Sequence, residues 1–394
     1  MDGRDLPRPP RRVPADAGTL TQLQTTTPRT PDLPPRQPWV YGRFLAGFLV
    51  VLLIIAAGAT AGWLFRAESL RINTGQVLES IGHGVVRVLA TTCEGSGEAS
   101  GVLLENGIVL TAASAVKTPL SIVIVTPDNQ IRQANLLGTS ADGVAVLRMI
   151  GQLEDEPIPL ATADPDPKSE LAQIGYTAAG QQRIQPVGTT ERPRALSEVM
   201  NAAKLGGPVV DKYGQVVGLV AGDTVQAATI IGLAKLRAYT APKPVGLTVE
   251  VGGKCARSRG PQSPVVPELQ VASTPLAVEA QRMLGDYLTL ENRHDFTALQ
   301  AVYSKYRKKS MSPTRDRDSH QTSYFFDPKI TGVSAYGADG AYARMTFNVL
   351  FSPDVKGAGG LNCRRFDQRY RLVREGGKLV MDGVEMVLPG QVCD

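Results

Sequence analysis

The stretch Leu205-Gly206-Gly207-Pro208, continued by Val209-Val210-Asp211-Lys212-Tyr213-Gly214-Gln215-Val216-Val217-Gly218, decides how this chain is read. Two apolar pairs, Val209-Val210 and Val216-Val217, flank a polar segment that ends in Gly214. β-Branched pairs favour extended backbone, and glycine opens the left-handed turn position. The stretch reads as a β-hairpin entered through a tight double-glycine turn.

Short apolar runs of the same texture lie on both sides. Val85 to Leu89, Ser100 to Leu104, Ile108 to Thr111, Ile122 to Val125, Val144 to Met149, Leu171 to Tyr176 and Thr229 to Leu233 are candidate strands, and Asn106-Gly107 is a two-residue hairpin signal. Many short strands at near-regular spacing predict a mainly β barrel or sandwich over residues 83–240, closed by a helix from Ala234 to Tyr239.

Four markers stand in a suggestive order: Gly95-Ser96-Gly97 leading to Ser100-Gly101-Val102, Val109-Leu110-Thr111-Ala112-Ala113-Ser114, Gly143-Val144-Ala145-Val146-Leu147, and Leu205-Gly206-Gly207-Pro208. Together they resemble the trypsin-like serine proteases, especially the membrane-anchored and HtrA-type bacterial ones. The resemblance implies a double β-barrel. It also implies a base at position 114, an orienting carboxylate at 143 and a nucleophile at 205. These positions hold Ser114, Gly143 and Leu205. A serine hydroxyl does not take up a proton near neutral pH, glycine has no side chain, and leucine has no lone pair to attack a carbonyl. Asp142 is one residue off, and a one-residue slip in a strand turns a side chain to the other face. Ala203 replaces the glycine that would donate to an oxyanion. The chain reads as a pseudoprotease with a degenerate triad and no catalytic residue. An active trypsin-like endopeptidase is the alternative.

Before the barrel region, residues 1–43 are rich in Pro, Arg and Thr without apolar periodicity, as in disordered tails. Residues 44–66 follow as an uncharged apolar run from Phe44 to Phe65, roughly 33 Å long as a helix, which suits one bilayer crossing. Ala59-Thr60-Ala61 resembles a signal-peptide cleavage site, the competing reading, but the long polar tail and the length of the run favour an uncleaved anchor. A short helical or linking stretch is expected at 67–82. The four cysteines, Cys93, Cys255, Cys363 and Cys393, all follow the apolar run, so an extracytoplasmic bulk and a cytoplasmic tail are expected at the cell membrane. Pairing within domains gives Cys93–Cys255 and Cys363–Cys393, one of three connectivities. Their wide spacing is not that of a zinc site, and no cofactor motif stands out, so neither metal nor cofactor is expected.

After the barrel region, proline, glycine and serine rise over 241–273, a second expected linker. Residues 274–394 then show helical spacing from Pro275 to Glu291 and an N-cap at Asp295 for a second helix to Tyr303. A loop is expected from Lys305 to Gln321. Strands follow at Lys329 to Tyr336, Ala341 to Phe351, Arg365 to Arg374 and Lys378 to Val387. The order, with Tyr287 to Phe296, resembles the nuclear transport factor two-like (SnoaL-like) cone. Small-ligand binding there is a further alternative function. His294 beside Asp295 reads as an acid–base pair or as helix entry; His83 reads as strand entry and His320 lies near no base position. The net charge of +5 comes largely from scattered arginines, with no basic stripe interleaved with aromatics, so nucleic acid is not an expected partner. The expected function is binding or scaffolding of a protein or peptide at the cell envelope.

Overall fold

The structure, a computed structural model, describes residues 40–151, 156–196, 201, 204–249 and 252–393. Most of the proline-rich tail and Ala203 lie outside the described residues. The chain divides into two compact units, Met1–Trp63 and Leu64–Asp394. Helix α1 (Val40–Ser69) bridges that boundary in sequence. Within it Phe44–Arg66, of mean hydropathy 2.5, is long and apolar enough to cross a membrane.

Early in the second unit comes α2 (Thr74–Ile81), inside the stretch read as helical or linking. Its start is set by Asn73, whose side chain accepts a hydrogen bond from the Gln76 N–H. Six strands follow: β1 (Val85–Thr92), β2 (Glu98–Leu104), β3 (Ile108–Ala112), β4 (Pro119–Val125), β5 (Ile131–Ser140) and β6 (Val144–Met149). They pair antiparallel in the order β5-β4-β1-β2-β3-β6, and β5 also pairs with β6, which closes a barrel and leaves these six without a free edge. β7 (Glu170–Tyr176), β8 (Gln182–Thr189), β9 (Pro208–Val210), β10 (Val216–Ala221) and β11 (Thr229–Gly232) form a second sheet, followed by α3 (Leu233–Thr240). One buried cluster joins Val86, Val88 and Leu147 of the first sheet to Val209, Val217 and Val220 of the second. β5 and β8 are absent from the expected strands because Arg132, Gln133, Asn135, Gln182, Arg183 and Gln185 break the apolar alternation.

Residues 241–273 carry structure where a linker was expected. β12 (Leu247–Thr248) extends β5, Arg259 pairs with Thr92, and β13 (Glu268–Leu269) runs parallel to the first strand of the next sheet. Helix α4 (Pro275–Asn292) starts at Thr274, whose side chain caps Ala277, with Pro275 at its first position. The expected second helix is only a 3₁₀ turn, Ala298–Val302. The expected loop contains α5 (Arg307–Ser310) and α6 (Pro313–His320), the latter capped by Ser312. β14 (Tyr324–Tyr336), β15 (Gly340–Leu350), β16 (Cys363–Glu375) and β17 (Lys378–Val392) make an antiparallel meander. Leu284 and Leu288 of α4 share a core with Met345, Tyr370 and Leu372 of that sheet.

The barrel and this α+β part are fused by a further core. Leu89, Val123, Val125 and Ile131 pack with Tyr324, Phe326, Leu350, Cys363 and Cys393. Beside it, Arg87 donates to Glu98 at 2.9 Å and to Asp327 on β14 at 3.0 Å, with Arg87 and Glu98 buried. Cys93 is bonded to Cys255 and Cys363 to Cys393.

Candidate functional site

Three loops of the barrel region converge around β2 and β3. Ser114 sits in the 3₁₀ turn Ala113–Ala115 that follows β3. Gly143 lies in the turn between β5 and β6 at φ +81°, and its carbonyl accepts the Ala113 N–H at 2.8 Å. Leu205 ends the approach to β9. Its carbonyl accepts the Ser100 N–H at 2.8 Å, and the Gly206 N–H donates to Val220 at 2.7 Å. Gly206 adopts φ +79°, and a Cβ there would stand 2.2 Å from the Ser100 carbonyl oxygen and 2.6 Å from the Ala112 nitrogen. Only glycine lets the loop lie this close to β2 and β3. After it, the Asp211 carboxylate accepts from Tyr213 and Gln215, and Gly214 at φ +76° completes the hairpin turn.

At these positions Leu205 and Ser114 are buried and Gly143 has no side chain. Leu205 is 4% exposed and packs in the cluster that holds Ala112, Ala113, Ala115 and Val220. The Ser114 hydroxyl is buried and has no hydrogen-bond partner among the described residues. Asp142 turns away toward α3: it accepts from Lys235 at 2.7 Å and from the Tyr239 hydroxyl. Lys235, then Tyr239, hold its carboxyl below the usual carboxylate range. Lys204, just before Leu205, donates to Gln185 at 2.9 Å, and burial lowers its pKa. His83 is half-buried in the 3₁₀ turn at the entry to β1.

Residues 99–219, from β2 into β10, match the family model of the trypsin-like peptidase domain. The chain folds as a trypsin-like double barrel with an added α+β part and one apolar N-terminal helix. Among solved structures it is similar to the Rv3671c protease in an inactive form, at 18% identity over 41% of this chain and 88% of that chain, with a TM-score of 0.34. It is also similar to a serine-to-alanine mutant of Rv3671c from M. tuberculosis H37Rv, likewise in an inactive form, at 19% identity over 44% and 95%, with a TM-score of 0.35. No curated protein matches the chain.

Outside the trypsin-like domain, the α+β part holds a further group of titratable side chains. His294, at φ +54°, donates its Nε2–H to the Ser323 carbonyl at 3.1 Å and stacks on Phe296, while Asp295 accepts from the Ala298 N–H at 2.9 Å. The two are engaged separately, and burial lowers the His294 pKa. Glu291, Tyr287, Tyr303, Asp316 and Arg307 gather deeper in, and none was assigned a site role from sequence. Glu291 is 1% exposed, and neither carboxyl oxygen has a hydrogen-bond partner among the described residues. Burial, then the nearby Asp316 carboxyl, push its pKa up to about 8, against the weaker opposing pull of the Tyr287 hydroxyl and Arg307. Asp316 accepts from the Tyr303 hydroxyl at 3.2 Å, and burial raises its pKa too. One signal was available in the sequence: Glu291 falls four residues after Tyr287 and seven after Leu284, on the apolar stripe of α4.

Proposed function

We propose that this chain is a membrane-anchored pseudoprotease whose trypsin-like domain binds or scaffolds a protein or peptide partner at the cell envelope. The observation that carries this reading is Leu205, an apolar side chain buried to 4% exposure where the resemblance calls for an accessible hydroxyl. Ser114 and Gly143 support it, since neither can accept a proton from a nucleophile or orient a base. Loss of a whole serine-protease triad lowers turnover roughly a million-fold. The two disulfides support an oxidising, extracytoplasmic setting for the unit from Leu64 onward, with residues 1–43 in the cytoplasm.

The test uses the full chain in lipid nanodiscs. A fluorophosphonate probe should label no serine, and unfolded casein should stay intact. Labelling that survives Ser114→Ala and Ser96→Ala and maps to another serine would refute the reading. A second reading, small-ligand binding by the α+β part, is supported by Arg307, which lines its cavity with no ion-pair partner among the described residues.

A further inference from the structure

The α+β part holds a cavity of about 340 Å³. That is at the small end for ligand sites. Its wall is aromatic and aliphatic: Phe325, Phe347, Phe351 and Phe366 line it with Val349 and Val384. Phe325–Phe347 and Phe347–Phe366 ring centroids are each 5.7 Å apart, so the wall is a continuous packed surface. Such a surface accepts an apolar body and gives no hydrogen bonds.

The charge at the cavity is one-sided. Arg307, on α5, lines it, and its guanidinium makes no hydrogen bond or ion pair among the described residues. Its buried Nε–H is unpartnered, and the group lies over the Tyr303 ring, 5.8 Å from the centroid. A buried donor left unpaired is costly, and a guanidinium is shaped to receive two oxygens of one carboxylate. Lys356 and Arg364 line the same cavity; Arg364 donates to the backbone of Gly357 at 3.2 Å. His320, also in the wall, is pulled down to about 4 by burial first, so it is neutral near pH 7.

Arg307 attracts the nearby Asp316 and Glu291 carboxyls but forms no ion pair or hydrogen bond with either. Asp316 is engaged by Tyr303 and, at 3.4 Å, by Gln300. Glu291 makes no ion pair with Arg307, and its burial keeps it protonated through neutral pH.

We propose that this cavity binds a small amphipathic carboxylate, its carboxylate on Arg307 and its apolar body against the phenylalanine wall. The proposal rests on the small-ligand reading of the α+β part and is independent of whether the barrels cleave peptides. Acyl and aryl acids share this chemistry, and the cavity's size and aromatic wall favour a compact aryl acid.

The experiment is calorimetric titration of the full chain in nanodiscs, with empty nanodiscs as blank. The probes are 2-naphthoate, its neutral analogue 2-naphthalenemethanol, and decanoate. The expected result is binding of 2-naphthoate at least about tenfold tighter than the alcohol, the usual size of a charge-assisted hydrogen bond. Arg307→Met should weaken 2-naphthoate about tenfold or more and leave the alcohol within about twofold. Exposed Lys356→Ala, a variant that removes no buried group, should weaken it only about two- to fourfold. Equal affinity for acid and alcohol would overturn the carboxylate assignment and leave the small-ligand reading standing. Binding of neither would overturn both. Unchanged 2-naphthoate binding in Arg307→Met would overturn the role of Arg307. Decanoate binding tighter than 2-naphthoate would overturn the aryl preference.

Discussion

Glu291→Gln is an informative perturbation because its sign and size both follow from burial. The carboxyl has a pKa of about 8 in the fold, against an ordinary 4.5. Between those values the folded chain keeps a proton that the unfolded chain has released. Stability therefore falls as pH rises through this window, by up to about 1.4 kcal/mol per pH unit. At pH 7 the accumulated loss is roughly 3 kcal/mol, and above pH 8 it levels off near 5 kcal/mol. Glutamine keeps the shape and cannot ionise, so the variant carries none of this slope. His294 and His320, whose pKa values are lowered by burial, destabilise the fold on the acid side in both proteins and cancel in the difference. The assay is urea denaturation of the full chain in nanodiscs, followed by far-UV circular dichroism at pH 5, 6, 7 and 8. The variant should be close to the parent at pH 5 and more stable by roughly 3 kcal/mol or more at pH 8. Parallel stability curves for the two proteins would refute the argument that Glu291 is held protonated by burial.

Other substitutions read other parts of the molecule. Leu205→Ser restores a hydroxyl without a base, so it should stay unreactive toward a fluorophosphonate and lose about 2 to 4 kcal/mol of stability in denaturant melts; efficient labelling would show a base nearby. Arg87→Met leaves Glu98 buried without its partner and should cost about 3 to 5 kcal/mol. Because Arg87 also reaches Asp327, barrel and α+β part should melt in one transition, and two resolved transitions would contradict the shared core. Replacing Cys363 and Cys393 by serine removes a bridge across a sequence separation of 30 and should cost roughly 3 to 4 kcal/mol, read as a drop in melting temperature that reductant reproduces in the parent.

Local chemistry determined much of this protein in advance. Valine pairs around Gly214 dictate a hairpin, and the apolar run from Phe44 dictates a helix fit for a bilayer, because both signals lie within a few neighbouring residues. The residue types at positions 114, 143 and 205 were legible for the same reason, since each is a property of a single residue. Polar strands such as β8 were not legible, since pairing with β7 holds them and no apolar alternation marks them. Tertiary structure alone decided that residues 241–273 bind both neighbours instead of linking them loosely, because their partners Thr92, Thr139 and Lys329 are remote in sequence. It alone decided that Asp142 serves α3, and that Arg307 lines a cavity with no ion-pair partner among the described residues. Whether a charge is paired or orphaned depends on which distant side chains the fold brings to it, and no local pattern carries that information.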